Sequence, residues 1–392
     1  MISIKNLIPK KIDFSTDYKN NYELLKNNII NKSVLIIGGA GTIGSNYIKQ
    51  LSVFRPKKIV VVDINENGLT ELTRDLRSST LLDYNPDYIT YPVNLLSNTF
   101  DKIFHNHNWD IVANFSAHKH VRSEKDKISV EALIKNNVYG AVKLLNLCSE
   151  RPPKYFFSVS TDKAANPVNI MGASKLLMEK LILGKQNLFR VSTARFANVA
   201  FSNGSLLAGF NFRLAKNQPL SCPEDIKRFF VTPEQSGQIC LLSTFLGTSG
   251  TIFFPKLDFH KDQIYFKEIA LNFLRYNGFE PIVVKSEKEA KSFEIGANIG
   301  QYPIFFFKTD TSGEKTYEEF YSEDEDYDID LYESLGCIRM ANEPFTEIEI
   351  INDFDKVFEN INSSKEDIVK VMKKYVPNFI HFETGKHLDQ KM

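Results

Sequence analysis

Two stretches of this sequence set groups capable of chemistry at telling spacings. Residues 158–163 read Ser-Val-Ser-Thr161-Asp162-Lys163, and Ala-Ala-Asn-Pro-Val-Asn-Ile-Met171-Gly-Ala-Ser-Lys175 follows directly. A carboxyl and an amine side by side at the end of an apolar strand can serve two proton transfers at one substrate. The plainer account of the pair is a loop ion pair. Upstream, Gly38-Gly-Ala-Gly41-Thr-Ile-Gly44 follows an apolar run and opens a helical stretch. In this GxxGxxG spacing Gly38 suits a tight turn, Gly41 a close approach of backbone to pyrophosphate, and Gly44 close packing of helix on strand. The helix N-terminus adds unpaired N–H groups and positive dipole for that anion. Asp63 lies nineteen residues after Gly44, at the end of the next apolar run, where a carboxylate accepts hydrogen bonds from an adenosine ribose. Strand, glycines and acid together point to a dinucleotide. A carboxylate there repels a 2'-phosphate and Ile64-Asn65 add no cation, so NAD is expected over NADP; Arg74 and Arg77, further along, read as surface helix charges.

The elements that must hold these groups follow from the pattern. Short apolar runs at 34–37, 59–63, 88–93, 111–115, 155–160 and 189–196 alternate with amphipathic stretches at 43–54, 66–78, 127–149 and 170–185. That is the form of repeated βα units: an α/β fold with a Rossmann-type doubly wound parallel sheet, whose ligands sit at the carboxyl ends of the strands. Residues 1–32 read as an N-terminal extension with one helix, and 33–197 as the NAD-binding domain with the catalytic segment. Residues 198–317, punctuated by Pro219, Pro223, Pro233 and Pro255, read mainly as a smaller C-terminal substrate-binding lobe. Residues 318–392 read as an acidic linker and C-terminal extension. Within them, 318–330 carry eight acidic residues in thirteen, which favours an exposed loop or linker over a partner-docking tail.

Composition narrows the function classes. The 392 residues carry 48 Lys+Arg against 48 Asp+Glu, so no net charge draws the chain to nucleic acid or anionic lipid. No apolar run approaches the ~18 residues of a membrane span. Cys148, Cys222, Cys240 and Cys337 are widely spaced, without CxxC or a signal-peptide core, so the expected setting is reduced and cytoplasmic. His118-Lys119-His120 has no nearby carboxylate or cysteine to complete a zinc site, and no metal is expected.

With these motifs the chain resembles the extended short-chain dehydrogenase/reductases. Within them it is similar to the bacterial nucleotide-sugar 4,6-dehydratases that act on UDP-N-acetylglucosamine in polysaccharide biosynthesis. The resemblance runs from about residue 33 to 245. GGAGTIGS at 38, NFSAHKHV from 114, NNVYG from 136, STDKAANPVNIMGASK from 160, RFANVAFSNGS from 195 and KRFFVT from 227 carry it. Gly313-Glu314-Lys315, followed by Glu318-Glu319, looks like the family's distal substrate-binding motif.

The resemblance implies a lyase with an internal NAD redox cycle: sugar C4 gives up hydride, water leaves across C5 and C6, and the hydride returns to C6, leaving a 4-keto-6-deoxy sugar. On that resemblance Lys163, as a neutral amine, takes the C5 proton, and Asp162, protonated, donates to the departing 6-hydroxyl. Thr161 hydrogen-bonds the C4 oxygen, and Lys175 binds the nicotinamide ribose. Such opposed roles need pKa values moved by a closed, dry pocket. The resemblance also implies that Gly38, Gly41, Thr42, Ile43, Gly44, Asp63, Ala117 and Lys119 contact the dinucleotide, with Asn94 and Leu95 flanking adenine. Asn137 holds the backbone near the nicotinamide, with helix capping as its plainer alternative. His120, Asn198, Ser205, Arg228 and Glu314 line the nucleotide-sugar site, while Arg195 reads as internal. A homo-oligomer is expected.

Two departures stand out. Met171 occupies the place of the usual Tyr in a YxxxK pair and cannot take the C4 hydroxyl proton, which passes to Asp162 or a water; a branch of these dehydratases similarly carries Met there. Thr311-Ser312 replace the Arg-Pro that often precedes Gly-Glu, leaving Arg228 to supply the charge. Tyr139 and Lys143 spell YxxxK inside the wrong helix and read as a decoy. Competing readings are a nucleotide-sugar 4-epimerase or reductase on the same fold, and a nonenzymatic NAD-sensing protein.

Overall fold

The computed structural model describes residues 7, 12–296, 300–310, 313–315, 317–340, 346–381, 383 and 385, leaving aside the Arg122 side chain. Runs that are apolar at every position, such as 34–37 and 59–62, form strands covered on both faces. Six of them, β1 (Ser33–Ile37), β2 (Lys58–Asp63), β3 (Asp87–Pro92), β4 (Ile111–Asn114), β5 (Tyr155–Val159) and β6 (Arg190–Ala194), lie in the order 3-2-1-4-5-6, all parallel. Val34 and Ile36 pack with Tyr47, Ile48 and Leu51 on one face, Leu35 and Ile37 with Phe100, Phe104 and Leu144 on the other. Strand order reverses between β1 and β4, which opens the crevice where a doubly wound sheet binds its ligand.

Three further strands extend this sheet beyond β6. Thr251–Pro255 pairs parallel to β6, Leu335–Arg339 antiparallel to Thr251–Pro255, and Asp326–Asp328 antiparallel at the edge. The structure departs from the boundaries expected from the sequence. Residues 233–255 return to the nucleotide-binding layers, because the Pro233–Phe245 helix packs on the Thr42–Ser52 helix and every residue of Thr251–Pro255 is buried. The acidic segment is no linker. Phe320 is buried between Phe229 and Phe254, and Glu325 pairs with the fully buried Arg195, so the apolar and paired groups among the acids draw it into the fold. The smaller lobe keeps its own core, including Leu207, Phe210, Leu220, Ile269, Phe273 and Ile304.

At the N-terminus two short helices stand where one was expected, Ser15–Asn20 and Tyr22–Ile29; Leu25 and Ile29 are buried in the main core. Asp17 accepts hydrogen bonds from the Glu333 and Ser334 N–H groups and the Ser334 hydroxyl. The C-terminal helices Glu347–Glu359 and Lys365–Tyr375 bury Ile350, Phe354, Ile368 and Met372 in the nucleotide-binding core. All four cysteines are buried and free. Among the described residues no helix is long and apolar enough to cross a membrane.

Candidate active site

The glycine loop is shaped by contacts that exclude a side chain. Gly38 has φ +75°, and a Cβ on it would lie 2.5 Å from the Ser116 nitrogen, so the loop after β1 presses against the loop after β4. A Cβ on Gly44 would lie 2.5 Å from the Gly38 carbonyl oxygen, the cost of seating the helix so near the strand. Gly41 differs: its nearest neighbour would be 3.4 Å away. The space beside it lies over the start of the Thr42–Ser52 helix, whose first N–H groups, including those of Thr42 and Ile43, have no intrahelical acceptor. The Asp63 carboxylate braces the loop, accepting from the Ala40 and Asn65 N–H groups at 2.9 Å each.

Around this loop the sequence-derived residues divide. Asn137 is 2% exposed and grips the loop after β4 from both sides, accepting from His118 N–H at 2.8 Å and donating to the His118 carbonyl at 3.0 Å. It also donates to the Ser174 hydroxyl, 3.0 Å away. It is not a cap: it sits in a π-helical turn, Lys135–Tyr139, which interrupts the single helix expected over 127–149. Lys119 donates to the Asn203 carbonyl at 2.9 Å, and Asn203 N–H donates to the Thr42 hydroxyl at 3.0 Å, so three segments meet beside the glycines. Ala117 stands half-buried in the same loop, and His120 closes on Gly204, where a Cβ would come within 2.9 Å of its Nε2. Asn94 is exposed, while the Leu95 side chain lies in the core rather than open to a base. Tyr139 donates to Asp355 at 2.7 Å and Lys143 pairs with Asp101 at 2.8 Å, so that YxxxK is committed elsewhere.

The Thr161-Asp162-Lys163 segment leaves β5 through a tight turn at Asp162–Ala164. Asp162 is 3% exposed; its Oδ1 accepts from the Thr161 hydroxyl at 2.9 Å and from Lys163 Nζ at 3.0 Å. Its buried Oδ2 has no hydrogen-bond partner among the described residues. The loop ion pair therefore forms, but largely buried and with one carboxylate oxygen spare. Glu318 Oε1 lies 3.5 Å from Lys163 Nζ and 3.6 Å from Arg228 Nη2. Burial pulls the Lys163 pKa down, but Asp162 and Glu318 outweigh it and hold the ammonium charged above the ordinary lysine range. The expected neutral amine is thus not the resting state, because a second carboxylate, Glu318, expected from the sequence only as part of the acidic run and of the distal motif, stands beside it.

The helix Ile170–Leu183 carries Met171 and Lys175. Met171 is buried, and its N–H and that of Ile170 donate to the two oxygens of Glu124 at 2.7 and 2.9 Å. Burial pushes the Glu124 carboxyl up to about 7 despite those bonds. Sequence reading missed Glu124, whose partners lie 46 and 47 residues away with no local signal. Lys175 Nζ donates to the Val159 carbonyl at 2.7 Å, and burial lowers its pKa to about 8.

The distal groups gather opposite. Asn198–Val199 pairs parallel with Phe230–Val231, with Asn198 opposite Phe230, two positions along the chain from Arg228. Arg228 Nη2 donates to the Lys315 carbonyl at 3.0 Å, and Asn169 Nδ2 donates to the Gly313 carbonyl at 2.7 Å. The Gly-Glu-Lys segment is thereby docked on the helix that carries Met171, with Glu314 accepting from the Thr309 hydroxyl at 3.3 Å. Thr311 and Ser312, the second departure, lie outside the described residues. Ser205 caps the Leu206–Ala215 helix, accepting from Ala208 N–H at 3.2 Å. Arg195 is internal, as read from the sequence.

Comparison with known proteins adds to this arrangement. An uncharacterized membrane protein of Methanocaldococcus jannaschii is 30% identical over 78% of this chain and 85% of its own length. A UDP-N-acetylglucosamine 4,6-dehydratase (inverting) of Campylobacter jejuni is 30% identical over 58% of this chain and 67% of its own. A UDP-glucose 4-epimerase of Rickettsia prowazekii is 27% identical over 70% and 83%. Among solved structures, Pen from Bacillus thuringiensis superposes with a TM-score of 0.66 at 21% identity, covering 84% of this chain and 98% of that one. The model of the polysaccharide biosynthesis protein family matches residues 34–339, and the chain belongs to that family, among the extended short-chain dehydrogenase/reductases.

Proposed function

We propose that the protein is an NAD-dependent nucleotide-sugar 4,6-dehydratase that converts UDP-N-acetylglucosamine to its 4-keto-6-deoxy product for surface polysaccharide synthesis. The observation that carries this reading is the buried Asp162–Lys163 pair, with one carboxylate oxygen unpartnered among the described residues, at the carboxyl end of β5 in the same parallel sheet as β1 and its glycine loop. The loop fits the dinucleotide: the space at Gly41 is one that a Cβ would fill, and Asp63 stands at the ribose position of such sites. NAD, when bound there, supplies the acceptor for the C4 hydride and its donor to C6.

This chain's residues do the rest. Met171 has no ionisable group, so Asp162 Oδ2 takes the C4 hydroxyl proton while Thr161 hydrogen-bonds the C4 oxygen. The C4 ketone acidifies the C5 proton, which Lys163 removes. Asp162 then returns its proton to the leaving 6-hydroxyl, and water departs. One carboxylate thus serves first as base and then as acid, each role contributing about 10²- to 10⁴-fold. Arg228 and Asn198 hold the diphosphate, and Glu314 the nucleotide ribose.

A 4-epimerase is the second reading, favoured by the Rickettsia relative, but neither partner of a buried acid–amine pair is required for inversion at C4. Mass spectrometry together with NMR of the sugars recovered after incubating purified protein with UDP- and GDP-sugars tests the choice. The dehydratase gives a product lighter by one water; an unchanged mass with inverted C4 supports the epimerase.

A further inference from the structure

The proton count of the proposed reaction leaves one place unfilled. With Tyr replaced by Met171, Asp162 must begin as a carboxylate to receive the C4 hydroxyl proton, so it cannot also take a proton from Lys163. Lys163 nevertheless rests as an ammonium and must become an amine before it can attack the C5–H bond. Some other group has to accept its proton and keep it close. Besides Asp162, the carboxylate facing Lys163 Nζ among the described residues is Glu318, at 3.5 Å and 3% exposed.

We propose that Glu318 is the proton store of the active site, a positioning residue that holds the Lys163 ammonium at rest and takes its proton during turnover. The inference rests on the dehydratase reading and deepens it. The Nζ–H bond breaks, and its proton forms an O–H bond on Glu318, so an ion pair becomes an amine and a carboxylic acid. The amine takes the C5 proton while Asp162 protonates the leaving 6-hydroxyl. Once C6 is reduced, Nζ returns a proton to C5 and recovers its own from Glu318, and all three groups end as they began.

The surroundings suit this exchange. Lys163, Asp162, Arg228 and Lys315 face Glu318, and on its own segment Glu319 is drawn off by Lys315 at 4.0 Å and Asn166 at 3.0 Å. Burial already raises the Glu318 pKa, and a substrate that expels water favours the neutral pair over two buried charges. Glu318 is also firmly placed. Two residues on, the Phe320 carbonyl accepts from Arg195 at 3.0 Å, while Arg195 itself is fixed by Glu179 and Glu325 at 2.8 and 2.7 Å. The acidic segment is thus anchored by a buried cation so that one of its carboxylates reaches the catalytic amine.

The test compares wild type, Glu318→Gln and Glu318→Asp as full chains with NAD, measuring kcat, KM and solvent deuterium uptake at C5 across pH. An amide cannot accept the proton, so Glu318→Gln should lose about 10²-fold in kcat and in C5 exchange at neutral pH. Its KM should stay near wild type, and its rate should climb with pH as hydroxide discharges Lys163. Glu318→Asp should recover part of the rate and, where Glu318→Gln fails to bind NAD, carries the comparison by the same alkaline climb. Wild-type or faster exchange in Glu318→Gln would mean that Glu318 only restrains the ammonium, and a change confined to KM that it only positions Arg228; either overturns the proposal. If wild type itself releases no water, the dehydratase reading falls instead.

Discussion

Gly38 and Gly41 stand three residues apart in one loop, yet alanine should act at them in opposite ways. At Gly38 the φ of +75° would place an alanine in the left-handed region, costing about 1–2 kcal/mol. Its Cβ would also fall 2.5 Å from the Ser116 nitrogen and 2.6 Å from the Phe115 carbonyl carbon, backbone atoms that cannot swing away, and such overpacking adds about 1–3 kcal/mol. Together Gly38→Ala should destabilise the fold by about 2–5 kcal/mol. Gly41 has φ −71° and its Cβ would meet nothing nearer than 3.4 Å, so Gly41→Ala should unfold at the wild-type denaturant concentration. The methyl would, however, occupy the approach to the helix N-terminus. Urea unfolding followed by calorimetric titration with NAD separates the two effects. Gly38→Ala should shift the midpoint; Gly41→Ala should leave it in place and weaken NAD at least tenfold, about 1.4 kcal/mol. Wild-type NAD affinity in a folded Gly41→Ala would refute the placement of the pyrophosphate.

Three other outcomes are expected. NAD should bind in preference to NADP, and Asp63→Ala should narrow that preference; equal affinities in wild type would remove the argument from the carboxylate. Met171→Leu fills a similar volume at a cost under about 1.5 kcal/mol and should keep turning over, whereas a folded but inactive variant would assign the sulfur a direct role. Because burial raises the Glu124 pKa from 4.5 to about 7, its contribution favours the fold at pH below 4.5 and is lost as pH rises through about 7. The Tm of wild type should therefore fall relative to Glu124→Gln between about pH 5 and pH 8, and a pH-independent difference would count against it.

Much of the nucleotide-binding half was legible because its signals are local. Continuous apolar runs announce strands buried on both faces, and glycines at fixed offsets mark a turn that excludes Cβ atoms; β1 to β6 formed within two residues of the expected bounds. What escaped the sequence depends on distant pairing. Eight acids in thirteen residues read as a solvated run, although Phe320 and Tyr321 among them were a hint of burial. Only the fold reveals that Arg195 and Lys163 neutralise two of those acids. Glu124 gave no local sign, since its role is to accept two N–H groups from a helix start far along the chain. Asn137 was found by its motif, but the π-helical turn that aims it could not be read from periodicity.

The central claim, that hydride moves from C4 to C6 of one sugar as water leaves, is tested most directly with UDP-N-acetylglucosamine carrying deuterium at C4. After incubation with the protein and NAD, the product should be lighter by one water and carry the deuterium at C6. A product of unchanged mass, with deuterium still at an inverted C4, would contradict the account.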